Sequence, residues 1–160
     1  MVIADEGIRF NASLDKLSGL KTVIENGVIT AGNASQITDG AAAVMVCNDA
    51  GLKKIQANPR AEIVSIAVVG DDPVFMLTGP IPASKKALEA ANLSIDDMDL
   101  YEINEAFAPV PLAWAAELNA DKKKLNVNGG AMALGHPLGA TGAKLMTTLL
   151  HEMERRESKY

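Results

Sequence analysis

The sequence predicts an α/β fold, in which helices cover a sheet, and three observations support it. Short apolar or β-branched segments alternate with segments of helical periodicity along the chain. The length of 160 residues is enough for one domain with a packed core. No internal repeat or coiled-coil heptad interrupts the pattern. We therefore expect one layered domain over residues 31–160, preceded by a lead-in over residues 1–30.

The first half of the chain is expected to supply two strands and one short helix. The lead-in mixes charged residues with glycine and shows no sustained period, which favours irregular structure. Residues 41–47 form an unbroken run of small apolar side chains, short enough for a buried strand, although its alanines also permit a helix. Asn48 or Asp49 can cap a helix that ends at Ile55, and the β-branched segment Ile63–Val69 predicts a second strand.

The second half alternates three helices with two short strands. Apolar residues at helical spacing predict a helix over Ala83–Ala91, and Leu100–Ile103 is a strand candidate. Prolines in the first turns fit a helix over Ala106–Leu118, and Leu125–Val127 is the next strand candidate. Pro137 is well placed at the first position of a long final helix with one apolar face.

Composition and charge exclude several functional classes. A net charge of −5 with dispersed basic residues gives no support for nucleic-acid or anionic-membrane binding. No segment has the length of a membrane span or of a signal-peptide core, so we expect a cytoplasmic protein. Cys47 is the only cysteine, which excludes an internal disulfide and a cysteine-based metal cluster. Its place at the end of an apolar run indicates a buried small side chain rather than a nucleophile.

The most unusual segment is the glycine-rich loop over residues 126–142, which contains His136. Glycines at this density permit backbone conformations and close ligand approach that side chains forbid. A histidine there can take a proton from a thiol or donate an N–H to a developing oxyanion. The alternative is a histidine that packs at the start of a helix. The loop has neither the Gly-Lys-Ser/Thr ending of a phosphate-binding loop nor the dinucleotide fingerprint.

Two further polar clusters adjoin predicted elements. Asn104 begins an Asn-Glu-Ala-Phe run at a strand-to-helix junction, where it can cap the helix or hold a water or a substrate carbonyl. Phe107 in this run is a candidate for the core. Residues 31–40 form a polar turn that contains Ser35. Turn chemistry explains most of that segment, and a binding segment is the alternative.

In this order, the clusters resemble the thiolase family over nearly the whole chain. Each motif alone is modest, but the ordered set is specific. The motifs are Gly32-Asn33-Ala34-Ser35 with Asp39-Gly40-Ala41-Ala42, then Asn104-Glu105-Ala106-Phe107-Ala108, then Asn128-Gly129-Gly130 through Gly135-His136-Pro137. The resemblance implies a thiolase-like C-terminal domain, a mixed sheet covered by helices with its last strands missing. Residues 1–30 would be a linker from an N-terminal half.

Thiolases interconvert two acyl-CoA molecules with a β-ketoacyl-CoA and free CoA through an acyl-cysteine intermediate. The resemblance implies that His136 activates the nucleophilic cysteine and helps form an oxyanion hole, which a water held by Asn104 completes. It places Ser35 against the pantetheine arm, and Phe107 and Gly135 in the substrate pocket. It also implies CoA thioesters as substrates, no separate cofactor or metal, and a homo-oligomer when full length.

Both catalytic cysteines of that family are expected outside this chain, one in an N-terminal domain and one shortly after Tyr160. Cys47 matches neither, so the chain alone is expected to lack turnover and to be prone to aggregation. A β-ketoacyl synthase shares the segment around His136, but it normally has a lysine where Ala131 stands and a second histidine near Asn104. A non-catalytic relative that binds CoA or lipid is the other alternative.

Overall fold

The computed structural model describes residues 3–160, and its regular elements are helices joined by long connecting segments. The α-helices are α1 Leu14–Ser18, α2 Asp49–Ile55, α3 Pro80–Ala91, α4 Pro109–Leu118, α5 Ala131–Leu134 and α6 Thr141–Arg156. Short 3-10 helices occur at Ile95–Asp97 and Lys122–Lys124. Within residues 3–160, each helix is too short or too polar to span a lipid bilayer.

The predicted sheet is not present among residues 3–160, and this corrects the expected strands. The segments 41–47 and 63–69 make no backbone-to-backbone hydrogen bonds with another described segment. Leu100–Ile103 and Leu125–Val127 come closest, because Tyr101 and Leu125 form one isolated parallel bridge. A strand exists only where a neighbour completes its hydrogen bonds, and an apolar pattern does not say which segment that neighbour is.

Several helices begin at a different residue from the predicted one, where a proline or a polar contact sets the first turn. The helix ending at Ile55 is confirmed, and the Asn48 side chain caps it by accepting from the Gly51 N–H. α4 begins at Pro109 rather than Ala106, with proline in its first turn. α6 begins at Thr141 rather than Pro137, because Pro137 to Ala140 close a turn of their own through a 2.7 Å hydrogen bond. α1, which the prediction missed in the lead-in, is capped by Ser13.

The apolar core lies between α3, α4 and the chain around Tyr101. Its buried centre consists of Tyr101, Trp114, Ala115 and Leu118. The rings of Tyr101 and Trp114 meet edge to face with centroids 5.2 Å apart, a favoured aromatic geometry. The indole N–H of Trp114 donates to the Ser84 hydroxyl at 2.9 Å, so the one polar atom of this ring is satisfied and α4 is joined to α3.

The first half of the chain, in contrast, keeps its large apolar side chains exposed. Ile37 and Val68 are 90% and 82% exposed, and the whole segment 41–47 is exposed. Cys47 is also exposed, so the expectation of a buried cysteine is wrong. The apolar run that predicted burial therefore has no covering layer among the described residues.

Candidate active site

The candidate site forms where a polar segment, residues 33–40, crosses the two loops that carry Asn104 and His136. We call this segment the strap. It bonds the first loop through Asn33, whose carbonyl accepts from the Ala108 N–H at 2.9 Å, and through Ser35, whose N–H donates to the Ala106 carbonyl at 3.0 Å. On the second loop, the His136 N–H donates to the Gln36 carbonyl at 2.9 Å.

The strap thus fixes the two loops relative to each other through main-chain hydrogen bonds. Main-chain hydrogen bonds do not depend on which side chains are present. The amino-acid composition of the segment therefore predicted only an ordinary turn. Its bridge between Ala34 and Phe107 is antiparallel. Two of the predicted site residues, Ser35 and Phe107, are neighbours of each other for this reason.

Asn104 and His136 meet, although 32 positions separate them in the sequence. The Asn104 Nδ2 atom lies 3.3 Å from His136 Nε2, and both side chains are partly buried. Asn104 does not cap α4, whose N-cap is Ala108, so the capping alternative is wrong. The Asn104 Oδ1 atom is buried and has no hydrogen-bond partner among the described residues. An acceptor buried in this way can receive a hydrogen bond from a water or a bound ligand.

Gly135 occupies a backbone conformation that only glycine adopts easily, with φ 84° and ψ 164°. A Cβ at this position would lie 2.4 Å from Thr38 Cγ2, so the strap packs directly on the glycine. The Gly135 carbonyl accepts from Lys144 Nζ at 3.0 Å, which ties the loop to α6. The glycine next to His136 is therefore required for the strap to cross the loop.

Phe107 contributes less to the core than the sequence suggested. Its side chain is partly buried and lies outside the Tyr101–Trp114 cluster. Its carbonyl accepts from the Val110 N–H at 3.0 Å at the start of α4. The position is thus fixed by backbone contacts on both sides, the strap and the helix.

Sequence analysis missed the polar network beneath the site. Asn126 Oδ1 accepts from the Ile103 N–H, and Asn126 Nδ2 donates to the Ile103 carbonyl and to Glu105 Oε1, all at 2.9 Å. The second carboxylate oxygen of Glu105 accepts from the Met132 N–H at 3.1 Å. A Cβ on Gly130 would lie 2.0 Å from the Glu105 carboxyl carbon, so glycine makes room for this group. The Asn-Glu and Asn-Gly-Gly motifs are the sequence signal from which contact between these two loops could have been predicted.

Two further carboxyl groups in this region differ sharply in their surroundings. Burial, followed by the negative charge of Glu105, raises the pKa of Glu102 to about 7. Hydrogen bonds, first from Arg155 and then from Asn128, lower the pKa of Glu152 to about 2. Glu152 is 3% exposed and joins α6 to the glycine-rich loop. Among residues 3–160, no group of three His, Cys, Asp or Glu side chains could hold a metal ion.

Comparison with known proteins identifies the chain. Residues 57–160 match the family described as thiolase, C-terminal domain, and residues 1–50 match thiolase, N-terminal domain. The chain belongs to the thiolase family. It is 56% identical over 156 residues to the steroid 3-ketoacyl-CoA thiolase FadA6 of Mycobacterium tuberculosis, covering 98% of this chain and 38% of that protein. It is 51% identical to the acetyl-CoA acetyltransferase of Cupriavidus necator, covering 97% and 40%.

A solved structure shows that this thiolase chain shares the fold of its family. The crystal structure of human mitochondrial 3-ketoacyl-CoA thiolase in complex with CoA matches with a TM-score of 0.88 and 44% identity. The match covers 99% of this chain and 40% of the human one. The chain thus spans about two fifths of the length of the relatives it matches, and within residues 3–160 the fold is represented by helices without a paired sheet.

Proposed function

We propose that this chain supplies the histidine–asparagine part of a thiolase active site, which transfers acyl groups between CoA thioesters through an acyl-cysteine intermediate. The observation that carries the proposal is the contact between Asn104 and His136, together with the unpaired Oδ1 atom of Asn104. A base and a buried acceptor placed side by side are what this chemistry requires. Membership of the thiolase family supports it independently.

In the proposed reaction, His136 Nε2 takes the proton from a cysteine thiol that another part of the enzyme supplies. The thiolate attacks the thioester carbonyl carbon, and the protonated imidazole then donates its N–H to the developing oxyanion. A water whose one proton is accepted by Asn104 Oδ1 can donate its other proton to the same oxygen. When the tetrahedral intermediate collapses, CoA leaves as a thiol with the proton that His136 carried.

For the substrate, we propose that Ser35 lies along the pantetheine arm and that Phe107 and Gly135 line the acyl pocket. The human relative was solved in complex with CoA, which supports CoA thioesters as the ligand class. The strap supports this placement of Ser35 and Phe107, because its hydrogen bonds hold both residues beside the loops that carry Asn104 and His136. Separately, a homo-oligomer is proposed for the complete enzyme.

The chain alone is proposed to have no turnover. Its one cysteine, Cys47, is exposed and precedes Asn48, the N-cap of α2, and it contributes no atom to the Asn104–His136 contact. Incubation of the isolated chain with acetoacetyl-CoA and CoA should produce no acetyl-CoA. Formation of acetyl-CoA above the buffer rate would contradict this part of the proposal.

A chimera tests the active-site assignment. This chain would replace the matching segment of the Cupriavidus necator acetyl-CoA acetyltransferase, and thiolysis of acetoacetyl-CoA would be followed by its loss of absorbance. The chimera is expected to be active, and His136→Ala should lower kcat about 10²- to 10⁴-fold, the usual contribution of a general base. His151→Ala, on the exposed face of α6, is the matched control and should retain activity.

The alternative, a non-catalytic binder of CoA or lipid, makes a different prediction for the chimera. It predicts that the folded chimera binds CoA but gives no thiolysis, and that His136→Ala leaves the affinity for CoA unchanged. Isothermal titration with CoA beside the activity assay separates the two functions. An active chimera whose His136→Ala variant is equally active would rule out the proposed role of His136.

A further inference from the structure

We propose that Thr141 is a positioning residue that fixes the tautomer of His136, with the proton on Nδ1 and the free lone pair on Nε2. The catalytic consequence rests on the proposed function, whereas the tautomer does not. The Thr141 hydroxyl lies 2.6 Å from His136 Nδ1 and 3.1 Å from the Pro137 carbonyl oxygen. Thr141 is 7% exposed, so water does not compete freely for these contacts.

The Pro137 carbonyl decides the direction of both hydrogen bonds. A carbonyl oxygen only accepts, so the hydroxyl proton of Thr141 points to Pro137. The hydroxyl then has lone pairs left for His136, and Nδ1 must provide the proton in the 2.6 Å contact. In the opposite arrangement, the hydroxyl would donate to Nδ1 and two oxygen lone pairs would face each other at 3.1 Å.

The other ring nitrogen agrees with this assignment. With Nδ1 protonated, Nε2 of the neutral ring is an acceptor, and the Asn104 amide can donate to it across 3.3 Å. The Asn104 Oδ1 atom is then left without a partner among the described residues, as the structure shows. If Nε2 carried the proton, the Asn104 amide would have to turn over so that Oδ1 accepts from it, and the NH2 group with both of its protons would then occupy the buried place without a partner.

Local structure holds the threonine in place for this role. Thr141 is the first residue of α6, and its own N–H also donates to the Pro137 carbonyl, at 2.9 Å. Backbone and side chain of Thr141 are therefore both attached to the residue that follows His136. The Nε2 lone pair of His136 is kept facing Asn104 because both ring nitrogens make hydrogen bonds.

The consequence for the reaction is a base of fixed orientation. The lone pair that takes the thiol proton is on Nε2 before the reaction, where the thiol replaces the Asn104 amide as its donor, and no tautomer exchange is needed. After proton uptake, Nδ1–H keeps the same acceptor, so the imidazolium forms without movement of the ring. This arrangement assigns to a hydroxyl and a backbone carbonyl the orienting part that a carboxylate plays in a Ser-His-Asp triad.

The tautomer can be measured directly by long-range ¹H–¹⁵N correlation spectra of the chain with ¹⁵N-labelled histidine rings, at a pH where the rings are neutral. His136 is expected to show a protonated Nδ1 and an unprotonated Nε2. Thr141→Val, which has nearly the same shape without the hydroxyl, should move the ring toward the Nε2–H form, and Thr141→Ser should not. His151, whose Nδ1 faces the Thr147 carbonyl, is the internal control and should be the same in all three proteins.

Kinetics in the chimera provide a second, independent test. Thr141→Val should lower kcat about 10- to 100-fold with little change in KM, as the loss of an orienting partner does, and Thr141→Ser should restore activity. An Nε2–H ring in the unmodified chain, or a Thr141→Val chimera with unchanged kcat, would overturn the proposal. If the NMR result is as expected but His136→Ala remains active, the tautomer assignment stands and the proposed function fails.

Discussion

The body of the molecule, residues 80–160, and the arm, residues 3–79, differ in how they satisfy their apolar side chains. Every buried apolar residue of the core lies between Leu100 and Ala131, whereas most of the exposed large apolar residues precede Thr78. Both regions have ordinary apolar sequence patterns. The difference therefore comes from which segments find a partner.

Helices and strands differ in how much they depend on neighbouring segments for their backbone hydrogen bonds. A helix satisfies its backbone internally, so α3, α4 and α6 need only one covered face. A strand depends on neighbours for every ladder hydrogen bond, and the segments 41–47 and 63–69 have none among residues 3–160. The chain covers 38% and 40% of two curated relatives, and those whole proteins contain more chain with which to build the fold.

The strap connects the two regions through its main chain. It belongs to the arm, yet its main-chain groups bond to loops of the body on both sides of the Asn104–His136 contact. The candidate site consequently needs both regions, although the apolar core needs only one. Substitutions in the core, beneath the strap and in the contact between arm and body should therefore lower stability by different amounts.

Removal of the central aromatic ring of the body should cause the largest loss of stability. Trp114→Ala is expected to lower the free energy of unfolding by about 3–5 kcal/mol, because a buried ring and its cavity are lost together. Leu112→Ala, in the same helix but 51% exposed, should change it by less than about 0.5 kcal/mol. Urea denaturation followed by circular dichroism measures both. Equal losses would show that the core does not lie where we describe it.

Substitution of the glycine beneath the strap should have the next largest effect. Gly135→Ala is expected to cost about 1–3 kcal/mol for its backbone conformation, and more for the contact with Thr38. Gly142→Ala is the matched control, because it lies in α6 with open space around its Cβ. A helical Gly→Ala change should stabilise by about 0.5–1 kcal/mol. If Gly135→Ala is as harmless as Gly142→Ala, the strap does not pack on the loop.

The sequence predicted the helices better than the sheet. Helical periodicity and prolines located α3 and α4 to within a few residues, because these signals are local. The motifs named Asn104 and His136, which the structure brings together. The Thr141 and Glu105 contacts were missed, since they depend on how two loops are placed and no local pattern records that placement.

The carboxyl group of Glu102, beside Glu105, gives a smaller, pH-dependent prediction. The pKa of Glu102 rises from 4.5 in the unfolded chain to about 7 in the folded one, so its contribution to stability is complete below about pH 4.5. It is lost as the pH rises from about 4.5 to about 7, since the unfolded chain releases the proton first. Glu102→Gln should therefore stabilise the protein above about pH 7 relative to wild type.

That gain should shrink toward zero below about pH 4.5, as measured by thermal unfolding across the pH range. Glu89→Gln, on the exposed face of α3, controls for the removal of one negative charge from a chain of net charge −5. A Glu102→Gln effect that is independent of pH would show that the carboxyl group is not buried beside Glu105 as described.

The smallest expected effect concerns the ion pair that joins arm and body. Arg60 donates to both carboxylate oxygens of Glu154, at 2.8 and 2.5 Å, and holds the pKa of that carboxyl below its usual value. Both side chains are nearly half exposed, so solvent and salt screen the attraction. Arg60→Gln should lower the urea midpoint slightly at low salt and not at all in high salt.

A double-mutant cycle of Arg60→Gln with Glu154→Gln isolates the coupling between the two side chains. The matched pair is Lys85 with Glu117, which lies wholly in the body at 4.0 Å with both side chains more exposed. Its coupling should be weaker still, because the contact is longer and not bidentate. A strong, salt-resistant coupling at Arg60 would mean that the arm is held to the body by this pair rather than by the strap, and the division between the two regions would have to move.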